Sequence, residues 1–346
     1  MLHKTLWLSL LFTAVISTVT NAQDSTSVSF EGYAEIYYAA QQSSQSDRPD
    51  FLYNHTADGL AVNIAWLKWT VDYNRWRIIA APMVGTYVNR NLANEPNAVQ
   101  HIYEASIGYQ FRGNANSRID AGIMPSHIGL ESNIGKNNLN LTRSLLAENT
   151  PYYECGLRWS GTTDNGLSWA VLVLNGWQRI AVADDQIRPN FGMQLQHDNK
   201  KGRVLNYSNY LGSINGRYSA YHNFYATQKL TQGWFINAEF NYEAMDRTKD
   251  FIGGSLALGK QFFKDWTVAA RLEQVRDVSS AYFATRSIPT QINPGGWSAN
   301  IDYQPHKAIK CRIEARRLWS LNREPYEDLA LYAPEWLYTA ACCISF

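Results

Sequence analysis

Beyond residue 22 the chain contains no run of 18 apolar residues, so its sequence offers no membrane-spanning helix. It also lacks an excess of either charge, with 31 Lys and Arg against 30 Asp and Glu. No cluster of Lys or Arg breaks that balance. A nucleic-acid partner, which needs concentrated positive charge to displace phosphate counterions, is therefore excluded. Histidine is scarce and scattered: His55, His101, His127, His197, His222 and His306 show no metal-ligand spacing, so neither a metal nor a cofactor is expected. A nucleophile elbow is absent as well. Cysteine is limited to Cys155, Cys311, Cys342 and Cys343. The first three fall on the apolar face of strand-like segments. Cys311 and Cys342 lie on consecutive segments at nearly opposite register, where a bridge is one reading and small lipid-facing residues the other.

What is present begins with residues 1–22. His3 and Lys4 precede an apolar run from Leu6 to Val19, and Thr20-Asn21-Ala22 supplies small residues for cleavage. This reads as an export signal. Gln23 follows it, so a lipid-anchored cysteine terminus is not indicated, and removing the signal leaves 30 basic against 30 acidic residues. The mean hydropathy of −0.34 would suit a soluble protein. A wide β-barrel gives the same average, because only every second strand residue touches lipid.

Turn signals divide the remainder into about sixteen strand-like segments of roughly ten residues, fourteen or eighteen being the neighbouring even counts. The connections alternate. Eight are long (41–59, 89–100, 129–151, 176–189, 212–217, 244–250, 276–295 and 319–335), and seven are tight turns near residues 74–75, 113–116, 163–166, 199–202, 229–232, 264–265 and 305–307. An even number of strands returns both chain ends to the short-turn side and leaves every long loop at the other, which points to an all-β, transmembrane, antiparallel up-and-down barrel.

Within the segments, side chains alternate at period two. Trp234, Ile236, Ala238, Phe240 and Tyr242 oppose Asn237, Glu239, Asn241 and Glu243, and Ile309, Cys311, Ile313 and Ala315 oppose Lys310, Arg312, Glu314 and Arg316. Tyr103, Ala105, Ile107 and Tyr109 oppose Glu104, Ser106 and Gln110. Charges at alternate positions cannot face a dry core without several kcal/mol of desolvation each, so that face must meet water. Trp and Tyr gather near the segment ends, as at Trp159, Trp169, Trp266, Trp297 and Tyr338, which fits aromatic girdles at two lipid boundaries. Leu60, Val62 and Ile64 are out of phase with Leu67, Trp69 and Val71, which requires a bulge. The last segment alternates Trp336, Tyr338, Ala340, Cys342, Ile344 and ends on Phe346, similar to the C-terminal signal by which the barrel assembly machinery recognises outer-membrane barrels.

Several stretches resemble the β-barrel porin-2 family, OmpL-like, of Gram-negative bacteria. They are Phe30-Glu31-Gly32-Tyr33, residues 101–106 (HIYEAS), 121–129 (AGIMPSHIG), 141–154 (LTRSLLAENTPYYE) and 172–179 (LVLNGWQR). The resemblance is densest from about Phe30 to Arg179. It implies an outer-membrane porin and supplies no solute.

Sixteen strands leave a lumen wide enough for water, so the function expected is passive diffusion of small hydrophilic solutes, without catalysis. The inward residues expected to line the pore are Glu31, Glu35, Lys68, Glu104, Arg118, Asp120, Glu239, Glu243, Arg271, Glu273, Lys310, Arg312, Glu314 and Arg316. Lys310, Arg312 and Arg316 on one strand, with Arg271 two strands away, suggest a basic wall and a transverse field; a solvated face with no further role is the alternative. The third long loop, 129–151, carries Leu141, Leu145, Leu146 and Ala147, poorly placed on an exposed surface, together with Glu131, Lys136, Arg143 and Glu148. It is expected to fold into the lumen as a constriction, with residues 141–147 a short helix on the wall. A loop capping the outside or touching another subunit is the alternative. The expected surroundings are outer-membrane lipid and lipopolysaccharide, with a homo-oligomer as one arrangement. Two other classes compete: a lipid hydrolase, for which Ser126-His127 and Ser144 near Glu148 supply residue types, and a closed adhesin or structural barrel.

Overall fold

A sheet with one wet face and one apolar face has unpaired edges until it closes on itself. The computed structural model describes residues 26–42, 52, 54, 59–111, 116–182, 189–214, 216–245, 249–277, 293–320 and 335–346. The leader 1–22 and most of the loops 41–59 and 319–335 lie outside them. Sixteen antiparallel strands form a closed barrel in sequence order. They are β1 (Thr26–Gln41), β2 (Gly59–Tyr73), β3 (Trp76–Val84), β4 (Ile102–Gln110), β5 (Arg118–Pro125), β6 (Tyr153–Thr162), β7 (Leu167–Leu174) and β8 (Asn190–Asp198). The second half comprises β9 (Arg203–Ile214), β10 (Arg217–Lys229), β11 (Trp234–Met245), β12 (Lys249–Phe263), β13 (Trp266–Asp277), β14 (Pro294–His306), β15 (Ile309–Ser320) and β16 (Glu335–Ser345). Closure is made by β1 on β16, from Tyr33 opposite Ser345 to Gln41 opposite Leu337.

The alternation resolves into two surfaces. On β15, Ile313 is 68% exposed and Arg312 1%; on β11, Phe240 is 43% exposed and Glu239 4%. The apolar set therefore faces out. Aromatic pairs cluster at the strand ends of that surface, among them Trp159–Trp169 at 5.0 Å and Trp266–Tyr303 at 4.6 Å between centroids. Phe346 joins this belt. Its ring lies 5.8 Å from Phe30 and covers Gly32, where a Cβ would sit 2.3 Å from the ring, so glycine is required beneath the terminal aromatic.

The phase break in β2 is a bulge at Asn63: Glu35 pairs with Ile64 and Ile36 with Val62, so the intervening residue is unpaired and the outward set changes parity. A second irregularity, where Ala81 pairs with Glu104 and Pro82 with Ile102, leaves Tyr103 as the extra residue of β4. Tyr103 is thereby turned away from the outer face expected for it, stacks on Trp66 at 5.1 Å and donates to Asn133 Oδ1 at 3.3 Å. The sequence pattern of β4 did not contain this, because proline at 82 cannot donate to the ladder and the register slips around it.

Cys311 and Cys342 face each other directly, with sulfurs 3.2 Å apart as free thiols. Cys155 is half-buried and packs on a cluster containing Ile123 and Tyr153. Two short helices follow β3, α1 (Thr86–Asn91) and α2 (Asn97–Gln100). Among the described residues no helix is long and apolar enough to cross a membrane.

Candidate functional site

The barrel interior is organised by residues 126–152, between β5 and β6. Besides bonds within the segment, several of its backbone amides and carbonyls bond side chains of the wall. The amides of Gly129 and Leu130 donate to Asn223 Oδ1 and Glu239 Oε1, both at 3.3 Å. Leu141 N donates to Glu314 Oε2 at 2.9 Å, Thr142 N to the same oxygen at 3.2 Å, and Leu145 N to Glu273 Oε2 at 2.6 Å. The carbonyls are taken by arginines. Arg312 donates to Gly135 O at 2.6 Å, Leu139 O at 2.9 Å and Asn140 O at 3.2 Å, while Arg271 donates to Thr142 O at 2.7 Å and Arg143 O at 3.2 Å.

This division explains why residues 141–147 are not the helix expected from their apolar spacing. A helix would consume its own amides and carbonyls, whereas here Glu314, Glu273, Arg271 and Arg312 compete for them. The charge-assisted bonds prevail. What remains helical is a 3-10 turn at Gly135–Asn137 and another at Ala147–Asn149. Leu141, Leu145, Leu146 and Ala147 are fully buried. Leu145 and Leu146 pack with Leu172, Tyr210, Tyr221, Phe251 and Val275 of the wall. Room for this comes from β12, whose inward positions from Gly253 to Gly259 are small: a Cβ at Gly259 would stand 2.6 Å from Leu139 Cδ1, and one at Gly253 3.2 Å from Leu146 Cδ1.

The arginines are matched among themselves and by acids. Arg312 grips Asp302 through Nε and Nη2, both at 2.8 Å, and Lys310 reaches the same carboxylate at 3.0 Å. Arg316 donates to Glu273 at 2.6 Å, and Arg271 lies 3.1 Å from Glu131, which also accepts from Ser144 N at 2.6 Å. Arg271, Glu273, Arg312, Glu314 and Arg316 are each at most 3% exposed. On β13 to β15 the cations are interleaved with Asp302, Glu273 and Glu314 and are covered by the inner segment. Burials of this kind are costly unless the charges are partnered; the segment's backbone supplies many of the partners, although Arg316 Nε and Nη1 have no hydrogen bond among the described residues.

The remaining inward positions fall into three groups. Glu35 is fully buried and accepts from Tyr33 Oη at 2.7 Å and Asn63 Nδ2 at 2.6 Å; Glu239 accepts from Asn223 Nδ2 at 2.7 Å, and Glu243 from Ser219 Oγ. Along β2 to β6 a wetter wall carries Lys68 paired with Glu104 at 2.7 Å, and Asp120 between Arg118 at 2.8 Å and Arg158 at 3.3 Å; these cations keep side-chain exposures of 21%, 28% and 22%. Glu31 is exposed, opposite Lys68 in the β1–β2 register. Of the segment's own charges, Lys136 bonds Lys307 O and Ser345 Oγ, Arg143 is fully buried with Nη1 on Leu141 O at 3.0 Å, and Glu148 accepts from Tyr152 Oη at 3.4 Å.

Asp302, Asn223, Asn300 and Glu154 were not singled out by sequence, and His127 was considered beside Ser126 as a hydrolase residue type. Asp302 had a readable signal, since it is inward by alternation and directly opposite Arg312. His127 had none. Its Nδ1 meets Glu154 Oε1 at 2.5 Å and its Nε2 meets Asn209 O at 2.8 Å. Both ring nitrogens therefore face acceptors, to which the protonated ring donates twice. Burial works against the charge, but the Glu154 carboxylate and the Asn209 carbonyl outweigh it and raise the imidazole above its ordinary value. Ser126 donates to the same Glu154 oxygen at 3.0 Å. Serine and histidine share one carboxylate instead of bonding each other, and histidine has no free nitrogen to act as base, so these three do not form a hydrolytic relay.

A family model described as "Putative beta-barrel porin-2, OmpL-like" matches residues 27–332. The chain belongs to this porin family. It is an outer-membrane porin channel. No curated protein matches its sequence. Among solved structures it is similar to the anion-selective porin from Comamonas acidovorans, with 10% identity over 93% of this chain and 100% of that one and a TM-score of 0.59. OmpF of Salmonella typhi, in complex with daunomycin, shares 9% identity over 92% and 97% of the two chains, with a TM-score of 0.61. The outer-membrane channel DcaP of Acinetobacter baumannii shares 10% over 94% and 99%, with a TM-score of 0.60. At these identities the structural likeness speaks for the porin fold alone.

Proposed function

We propose that this porin passes small hydrophilic solutes by passive diffusion, with residues 129–151 as its constriction and the wetter wall of Glu31, Lys68, Glu104, Arg118, Asp120 and Arg158 as its lining. One observation carries the reading: the long third connection is fastened across the interior by wall charges, while the charged wall of β2 to β6 keeps partial solvent contact. A barrel needing only a dry plug would gain nothing from solvated ion pairs on one side. No chemical step is assigned to Ser126 or His127.

The same reading includes export from a Gram-negative cell by the cleavable leader 1–22, recognition of Phe346 by the barrel assembly machinery, and contact of the outer belt with lipid and lipopolysaccharide. Self-association is the arrangement we favour, because the outer surface is hollowed where Ala270, Ala299, Ala315 and Ala340 lie side by side and a second copy would fill it. Planar-bilayer recording tests the function. The protein should give discrete conductance steps, and deletion of residues 132–141 should enlarge them; identical steps in the deletion would remove the constriction from the proposal. Turnover of phospholipid or ester substrates with no conductance would favour the hydrolase instead.

A further inference from the structure

We infer that the short-turn mouth of the barrel contains a binding subsite for a neutral, polyhydroxylated solute of monosaccharide size. The inference deepens the channel reading by naming a solute class. The site is a cavity of about 380 Å³ beneath the inner segment, between its lower edge and β10, β11, β13, β14 and β15. That volume is at the small end of the range, roughly 300–1,000 Å³, that holds small-molecule ligands.

Its chemistry is decided by which groups are already occupied. The carboxylates are spent: Glu131 on Arg271 and Ser144 N, and Asp302 on Arg312, Lys310 and Asn300 Nδ2. Lys310 in turn is held by Asp302 and by Lys136 O at 3.2 Å. Four neutral side chains on the lining, Asn137, Thr227, Asn237 and Thr267, have no side-chain hydrogen bond among the described residues. They offer amide and hydroxyl donors and acceptors together. Lys229 is the lining cation with no carboxylate partner among the described residues, and its ammonium lies over the Phe235 ring; a sugar presents hydroxyls that both give and accept, which matches the four neutral side chains. Leu130, Leu139 and Phe235 supply an apolar side for the C–H face of a pyranose. Lys229 is exposed, with its ammonium 6.0 Å from the Phe235 centroid.

The four side chains come from the inner segment and from three strands, and alternation places Thr227, Asn237 and Thr267 inward on β10, β11 and β13. Their adjacency is a barrel property. Thr227 is directly opposite Asn237 in the ladder, and Thr267 is two strands on.

The test is isothermal titration calorimetry of the folded full-length protein in detergent with D-glucose and with sodium gluconate, beside bilayer conductance of the same preparation. Saturable glucose binding is expected, weakened roughly 10-fold by the double substitution Asn237→Ala and Thr267→Ala, since two modest hydrogen bonds are lost. Both substitutions are on the surface of a cavity and leave the segment's fastenings in place, and unchanged thermal unfolding of the variant checks that it folds. Gluconate binding tighter than glucose would reassign the site to anions and overturn the inference, as would glucose binding that the double variant leaves unaltered, or none at all. Absence of conductance with intact glucose binding would strike at the channel reading and spare the subsite.

Discussion

At the level of single residues, the interior is governed by the partners of buried charge. Glu273 illustrates it: one oxygen accepts from Arg316 and the other from Leu145 N, and both arginines of its neighbourhood depend on it. Replacing Glu273 with Ala leaves Arg316 and Arg271 short of a counter-charge in a covered site, a loss of about 3–5 kcal/mol for a broken buried pair. Thermal unfolding in detergent followed by circular dichroism should show a marked drop in midpoint; an unchanged midpoint would mean that water already reaches these groups. His127 gives a pH-dependent counterpart. Its folded value is raised above the ordinary 6.5, so its contribution is fully present below about pH 6.5 and is lost as pH rises through the folded value. The midpoint difference between the natural protein and His127→Gln should therefore be largest in mild acid and shrink at alkaline pH. A difference that grows with pH would contradict the doubly donating imidazolium.

At the level of elements, what the sequence discloses and what it hides separate along the chain's own periodicity. Strands β11, β13, β14 and β15 were readable because period two is a local rule, and the bulge in β2 announced itself as a parity change between Ile64 and Leu67. The inner segment was readable only as a paradox, four buried-type residues in a long connection. Its conformation was not, because its backbone partners are Glu314, Glu273, Arg312 and Arg271, more than a hundred residues away in sequence. His127 was hidden as well, since its partners Glu154 and Asn209 lie on β6 and β9 and only the closed barrel brings them to it. One local cue was present without being used: β12 reads IGGSLALGK, with small residues at every inward position from Gly253 to Gly259. That strand is hollow where the segment lies. Gly259→Leu should therefore press on Leu139 and loosen the lower edge of the segment, costing about 1–3 kcal/mol as an overpacked site. Increased open-channel current noise in bilayers is the expected sign, and quiet currents of natural amplitude would show that the segment does not rest there.

At the level of the whole molecule, the fold consists of one sheet whose two faces meet incompatible solvents, and the position of a charge by a single residue decides its fate. Arg312 is tolerated because its fork closes on Asp302 and its other amines on Gly135 O, Leu139 O and Asn140 O. Ile313, the next residue, is 68% exposed on the outer surface and pairs with Ile301 and Ala340. Moving the charge there, as Ile313→Arg, places a guanidinium against acyl chains near the middle of β15. For outer-membrane barrels such a change costs about 2–4 kcal/mol at the bilayer midplane and much less near its boundaries. Urea titration of the protein in phospholipid vesicles should record that loss for Ile313→Arg, and a far smaller one for Tyr303→Arg, which sits at the end of β14 beside Trp266 in the aromatic belt. Equal losses at the two positions would mean that depth in the membrane does not order this surface, and the assignment of the apolar face to lipid would have to be given up.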